Sequence, residues 1–323
     1  MSNFDRVVYN SVMEFANHWR SQESTKGQSE IEVRVAVDAD SGAITRLLRS
    51  AGGSHVHVDW RLPIEWLGSP HFVVVPQSLE ETGARFSKFF ALPERLVACL
   101  AATADPLPTA WVRVAAVAQE AESLPLLGAM LDRVAGSLRD TAVTQLAWLV
   151  AQEWPNRHLP ALGFAQINQI ETYVKYDLDV PQFHQAPDLI IRPVQPRDFA
   201  ALAEIETIAF EPLWRMSSDT LALAQRDALC FDVAEWNGRV VGYQLCSYGA
   251  NSAHLVRLTI APQVQGQGVG SALLAQAIRT AVHDGLRYVS LNTQVDNSTS
   301  QHLYKKFGFL PTGERLPVWS KTI

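Results

Sequence analysis

The stretch Ile260-Ala-Pro-Gln-Val-Gln-Gly-Gln-Gly-Val-Gly-Ser-Ala-Leu-Leu274 decides the fold. It joins the end of an apolar run, His254-Leu-Val-Arg-Leu-Thr-Ile260, to an amphipathic segment with Leu273, Leu274, Ala277, Ile278 and Ala281 on one side. A strand that feeds a helix through a glycine-rich turn leaves several backbone N–H groups unpaired at the positive end of that helix, which suits a phosphate or pyrophosphate. Glycines at 266, 268 and 270 would let such a ligand approach the backbone without meeting a Cβ. A Walker loop requires Gly-Lys-Ser/Thr, and this turn has no lysine. The dinucleotide fingerprint Gly-x-Gly-x-x-Gly fails too, because position 271 is Ser and the third glycine arrives one residue early.

Around this segment the second half of the chain reads as alternating elements. Phe231-Asp-Val-Ala-Glu-Trp and Arg239-Val-Val-Gly-Tyr-Gln-Leu flank Asn237-Gly238, a strong signal for a two-residue hairpin. Tyr288-Val-Ser-Leu-Asn-Thr predicts a further strand, and Ser300 to Phe307 a short helix. A hairpin followed by alternating strands and helices indicates a mixed sheet with helices packed on it.

The spacing of Gln265, Gly268 and Gly270 fits Gln/Arg-x-x-Gly-x-Gly/Ala, which resembles the coenzyme A pyrophosphate loop of the GNAT N-acetyltransferase superfamily. About thirty residues later, Asp296-Asn-Ser-Thr-Ser-Gln-His-Leu-Tyr-Lys-Lys-Phe-Gly-Phe309 resembles that superfamily's closing motif. The likeness covers residues 189–323, which otherwise resemble ribosomal-protein alanine acetyltransferases, and Val295-Asp-Asn297 also resembles a stretch of mycothiol synthase. The resemblance implies an α+β fold, with a mixed, mostly antiparallel central sheet flanked by helices, and acetyl-CoA as acyl donor with no metal. It implies that backbone groups of Leu258, Thr259 and Ile260 hold the pantetheine arm, with Asn297 on the opposite wall. It implies that amides of Gln265, Gly266, Gln267, Gly268, Val269, Gly270 and Ser271 hold the pyrophosphate. Tyr304 matches the tyrosine that protonates the departing thiolate, although a tyrosine at a helix end can equally be a packing residue.

The general base departs from the family pattern. The two positions where relatives carry a glutamate are His254 and Asn292 here. A histidine of ordinary pKa about 6.5 can act directly or through water, but a lone strand histidine is also a common structural residue. A weak base bears on the acceptor. Freeing a lysine amine of pKa about 10.4 adds roughly 4–5 kcal/mol at neutral pH, against about 1 kcal/mol for an α-amine at about 7.7–8.0. Peptide N-termini or small amino compounds are therefore favoured as acceptors. Phe210-Glu-Pro-Leu-Trp214 resembles the family's acceptor loop, so Glu206, Glu211 and Trp214 are candidates to recognise an amine by charge and ring face, although ordinary surface or core roles fit them equally; Asn292 is a further substrate-binding candidate.

Earlier segments echo the second half. Arg34 and Arg192 open similar strand–helix units 158 residues apart, and Arg95 and Arg239 are 144 apart, as are Arg113 and Arg257. Gly163-Phe164 answers Gly308-Phe309 at 145. We read two tandem GNAT-like acyl-CoA acyltransferase copies, the first with extra residues between positions 34 and 95. The organisation is a helix and tether over 1–30, a degenerate domain over 31–178, a proline-containing linker over 179–188 and a catalytic domain over 189–323. At the loop position the first copy reads Ala118-Gln-Glu-Ala-Glu-Ser-Leu-Pro-Leu126, whose acids would repel a pyrophosphate, and Leu159 or a neighbour replaces the tyrosine. His55 and His57 alternate on a strand-like segment with no third metal ligand in view.

Composition sets the outer limits. The 323 residues are 47% hydrophobic and 19% charged, which excludes wholesale disorder. Lys+Arg against Asp+Glu is 15 to 22 over residues 1–188 and 12 to 11 over 189–323, so neither half carries the basic footprint of a nucleic-acid binder. No run approaches the length of a membrane span. Three scattered cysteines, Cys99, Cys230 and Cys246, make no disulfide framework and suggest a cytoplasmic protein. An acyl-CoA-binding sensor without turnover remains the alternative to an enzyme.

Overall fold

The structure, a computed structural model, describes residues 31–57, 60–77 and 95–323; the helix and tether expected over 1–30 lie outside the described residues. The first copy runs through β1 (Arg34–Val35), α1 (Ser41–Ser50), β2 (Gly53–Val56), β3 (Phe72–Pro76), β4 (Leu96–Ala104) and β5 (Thr109–Val117). It continues through α2 (Ser123–Leu138), β6 (Gln145–Leu149), α3 (Glu153–Asn156) and β7 (Ala165–Lys175). The second runs through β8 (Ile190–Pro193), α4 (Phe199–Ala209), α5 (Ser218–Ala224), β9 (Ala228–Trp236), β10 (Arg239–Tyr248) and β11 (Ser252–Ile260). It closes with α6 (Val269–His283), β12 (Tyr288–Gln294), α7 (Ser298–Lys306) and β13 (Leu310–Thr322).

Local chemistry accounts for the repeat. Arg34 makes a two-pronged pair with Asp40 (2.7 and 2.8 Å), and Asp40 also accepts from the Val37 N–H (2.9 Å). Arg192, Asp198 and Gln195 reproduce this 158 residues later, at 2.7, 3.0 and 2.8 Å. Both pairs fix the entry of a helix to the strand before it, and the arginines hold both carboxyls below the usual range. The Asn237-Gly238 hairpin forms as read, both residues having positive φ (52° and 69°) as a type I′ turn demands.

One expected offset needs correcting. The nine-residue strands β5 and β11 match end to end at 143, not 144. Each carries a bulge against its hairpin partner, at Arg113 in β5 and at Val256 in β11. Arg113 therefore stands where the second copy has Val256, and Trp111 where it has His254. The cause is a β4–β5 turn one residue longer than the β10–β11 turn.

The two copies share one sheet in the order β1-β3-β4-β5-β6-β13-β7-β12-β11-β10-β9-β8, with β2 added to β5. The last strands are exchanged. β7 of the first copy pairs with β12 of the second, and β13 of the second pairs with β6 of the first, while β7 and β13 pair with each other. The outer edges of β6 and β12 are thus each closed by a strand of the other copy. Helix α6 covers one face of the second copy, burying Leu273, Leu274, Ala277, Ile278 and Ala281, each full Leu or Ile burial contributing about 1.5–3 kcal/mol. Helices α4 and α5 cover the opposite face over Phe231, Val233, Tyr243 and Leu245.

The exchange generates a prediction. Residues 189–323 expressed alone leave β12 without β7, so the fragment should elute as oligomers or aggregate in size-exclusion chromatography with light scattering. A monodisperse, monomeric fragment with native near-ultraviolet dichroism would show that the exchange is dispensable.

Candidate functional site

Pairing between β11 and β12 is parallel and short. It runs from Ser252↔Tyr288 to Leu255↔Leu291 and then stops. Past that point β11 continues to Ile260, still paired with β10 from Arg257↔Leu245 to Ile260↔Gly242. Its other edge, at Val256 to Ile260, has no strand partner among the described residues, and the bulge at Val256 is what turns it away. A slot therefore opens between the ends of the two parallel strands.

The glycine turn stands at the head of this slot. Gly266 and Gly268 have φ of 76° and 86°, and Gly268 is the N-cap residue of α6. Gln265 donates from Nε2 to the Ile260 carbonyl (3.1 Å), tying the turn back to the strand. The glycines serve different needs from those expected. A Cβ on Gly268 would lie 2.2 Å from the His184 carbonyl of the 179–188 segment, and one on Gly270 would meet Ile260 and Leu303 at 3.2 and 3.4 Å. Those two admit protein; only at Gly266, with nothing within 4 Å, is the space open.

Tyr304 is set in the core of the second copy by a helix cap. At the end of α7 the Gly308 N–H bonds the Lys305 carbonyl (3.0 Å) and the Phe309 N–H bonds the Tyr304 carbonyl (3.0 Å), a Schellman motif with Gly308 at φ 82°. Phe309 then packs on Tyr304 (5.9 Å between rings), with Tyr173 of the exchanged strand at 6.4 Å. The phenol is 5% exposed, and burial pushes it up to about 12. Asn297 is the N-cap of α7, its Oδ1 accepting from the Ser300 N–H (3.1 Å).

His254 faces the other side. Ala253, Leu255, Val289 and Leu291 share the core with Tyr304, so by strand alternation His254, Ser290 and Asn292 point to the opposite face. His254 Nδ1 is 2.9 Å from Ser290 Oγ, and burial lowers its pKa below 6.5. Asn292 is exposed. On the same face Arg257 and Thr259 meet Glu206 of α4, which is fully buried. Glu206 accepts from Tyr243 Oη (2.7 Å), Thr259 Oγ1 (3.0 Å), Arg257 Nε (3.1 Å) and Nη2, and the Met216 N–H (2.9 Å). Arg257 also donates to the Trp214 carbonyl (2.5 Å) and lies 3.7 Å over the Phe210 ring. Glu206 is thus an internal counter-ion and not the amine-recognition group expected of it. Glu211 is exposed and Trp214 half-buried on the loop that Arg257 holds.

The model of the acetyltransferase (GNAT) family matches residues 199–309. A [ribosomal protein bS18]-alanine N-acetyltransferase of Haemophilus influenzae is 31% identical over 120 residues, 37% of this chain and 80% of that protein. The chain belongs to the GNAT family of N-acetyltransferases. A tandem GNAT protein from the clavulanic acid biosynthesis pathway shares the fold with a TM-score of 0.60 at 17% identity, over 91% of this chain and 98% of its own. A GCN5-related N-acetyltransferase from Sphaerobacter thermophilus does so with 0.57 at 18%, over 91% and 96%.

The slot of the first copy is filled. β5 pairs with β6 only from Thr109 to Trp111, so the same slot begins to open. There β2 enters it. Gly53 to Val56 pair with Val117 to Val114, the His57 N–H bonds the Arg113 carbonyl (2.8 Å), and the Gly52 N–H bonds the Ala118 carbonyl (3.0 Å). The free edge of β5 is zipped from its bulge to its end. Trp154 seals the plug: its Nε1 donates to the Ser54 carbonyl (3.0 Å), and a Cβ on Gly53 would lie 2.6 Å from its ring. His55 Nε2 donates to the Val112 carbonyl (3.3 Å), and burial drops its pKa to about 4. His55 and His57 belong to this plug; among the described residues no group of three His, Cys, Asp or Glu is placed to hold a metal. Leu159 occupies the Tyr304 position, with its carbonyl accepting from Phe164 as Tyr304 accepts from Phe309. Glu120, on the loop itself, pairs with Arg157 (2.7 Å).

Sequence reading missed the plug and the Glu206 hub. The second had a visible signal, since Glu206 falls on the buried stripe of α4 with Leu202 and Ile205. Removing its charge tests the hub. Glu206→Gln strands Arg257 as an unpaired buried cation, which costs about 3–5 kcal/mol, measurable as a lowered urea midpoint. A loss under about 1 kcal/mol would mean solvent already screens the pair.

Proposed function

We propose that the chain transfers an acetyl group from acetyl-CoA to a primary amine, that the second copy does the work, and that the first is degenerate. The observation that carries this reading is the asymmetry of the two slots. In the second copy the free edge of β11 runs beside a glycine turn and a helix N-terminus; in the first, the same edge is bonded to β2. Backbone groups of Leu258 to Ile260 would hold the pantetheine arm, and amides from Gln265 to Ser271 the pyrophosphate. Any contact from Asn297 would come from Nδ2, since Oδ1 caps α7.

Acetyl-CoA supplies an activated thioester. Tyr304 holds a proton against the thiolate that departs, and at about 12 its phenol keeps that proton at any physiological pH. His254 is the proton acceptor on the other face, neutral at pH 7 because burial disfavours its charged form. A neutral imidazole without a carboxylate suits an α-amine, and the named activity of the Haemophilus influenzae relative on an alanine supports a peptide N-terminus as acceptor. Free thiols at Cys99, Cys230 and Cys246 accord with a reducing cytoplasm.

Calorimetry and turnover test this together. Acetyl-CoA should bind the full chain at one site, and Tyr304→Phe should lower turnover by roughly a hundredfold while leaving its affinity within about twofold. Two sites per chain would sink the assignment of a silent first copy. Binding with no turnover of any amine would replace the enzyme by a sensor.

The pH profile tests the base. With an α-amine acceptor of pKa about 7.7–8.0, log kcat/KM should rise with slope one below that value. It should steepen to slope two below the pKa of His254, which lies under 6.5. His254→Gln should remove the steeper limb; a profile that keeps it would clear His254 of the role.

A further inference from the structure

The loop that joins α4 to α5, residues 210–217, carries Glu211 and Trp214 and contains only one 3-10 turn, Pro212–Trp214. Its two central carbonyls are bonded by donors from different copies. That of Trp214 accepts from Arg257 of the second copy (2.5 Å), and that of Leu213 accepts from the indole Nε1 of Trp111 of the first (3.3 Å). The Trp111 ring lies 5.9 Å from that of Trp214, tilted by 48°, and is backed by His57 stacked at 5.3 Å and 27°. A second grip sits just beyond the loop. Asp105, in the β4–β5 turn, accepts from Thr220 Oγ1 (2.8 Å), and Thr220 is the residue whose N–H the Ser217 cap of α5 receives (3.0 Å).

Trp111 occupies in β5 the position that His254 occupies in β11, as the matched strands and bulges establish. In one copy that position faces the proposed chemistry; in the other it holds an indole that crosses to its neighbour's loop. From this we infer that Trp111 is a positioning residue for amine binding in the second copy: the silent copy sets the acceptor loop, with Asp105 as a second anchor. The inference rests on the acetyltransferase reading above.

The physical case is one of entropy. A loop residue held in one backbone conformation gives up about 1–2 kcal/mol, and a short irregular loop cannot recover that from its own ladder. Arg215 bonds back to the Phe210 carbonyl (3.0 Å) and the Thr207 carbonyl (2.9 Å), and Glu206 holds the Met216 N–H, so the loop's two ends are fixed within the second copy. Its middle is not. The Leu213 carbonyl and the Trp214 ring take support from Trp111, so the side chain that would meet an amine is set in part from outside its own copy.

Trp111→Phe tests this by deleting the N–H and leaving a ring, and Asp105→Ala serves as the second variant should the first fold poorly. Two readouts are taken on the full chain: hydrogen–deuterium exchange of amides 210–217, and steady-state kinetics with an alanine-leading hexapeptide as acceptor. The expected result is roughly tenfold faster exchange in that loop and a KM for the peptide raised about tenfold, with kcat and acetyl-CoA affinity within about twofold. Unchanged exchange in both variants overturns the inference, as does a fall in kcat with KM unmoved. If the parent protein acetylates neither this peptide nor other amines, the acetyltransferase reading has failed; faster exchange would then leave Trp111 as a loop support but overturn its part in amine binding.

Discussion

Everything in this molecule depends on the crossing of β7 and β13. A parallel pair such as β5–β6 or β11–β12 leaves the second strand of each with an unpaired outer edge. The chain closes both edges reciprocally, β7 on β12 and β13 on β6. The wall of the slot in the second copy is therefore β12 as braced by a strand of the first. Tyr173, which packs beside Tyr304, arrives on that same strand. Slot, phenol and exchange are one construction.

The two slots illustrate how little separates an open strand edge from a packed interior. Both copies bulge one strand at the same place and part it from its parallel neighbour. An unpaired strand edge is a row of donors and acceptors that must find partners. In the first copy six residues of the chain itself, 52–57, supply them, and Trp154 covers the join. In the second copy the same edge has no strand partner among the described residues. The acidic Glu120 and Glu122 at the head of the filled slot, against Gln265 and Gln267 at the open one, follow the same division.

How much of this the amino-acid sequence disclosed depends on range. Features set by neighbours along the chain were legible: the Asn237-Gly238 hairpin, the glycine turn into α6, the Gly-Phe pairs that cap α7 and its first-copy counterpart. Each is dictated by φ, capping or periodicity over a few residues. Features set by distant partners were not. Nothing local in Ala165–Lys175 says that it pairs with Tyr288–Gln294, and His55 and His57 on β2 alternate as any half-buried strand does. The offset slipped by one at Arg113 because similar side chains masked an extra turn residue. Glu206 read as an amine-recognition candidate because its side-chain donors, Tyr243, Arg257 and Thr259, lie 37 to 53 positions away.

The exchange also dictates an order of events during synthesis. β6 is finished at Leu149, but the strand that covers its edge starts at Leu310. At about 5–20 residues per second, roughly ten to thirty seconds of translation separate the two. For that interval the nascent first copy presents a bare, apolar strand carrying Trp148 to whatever surrounds the ribosome.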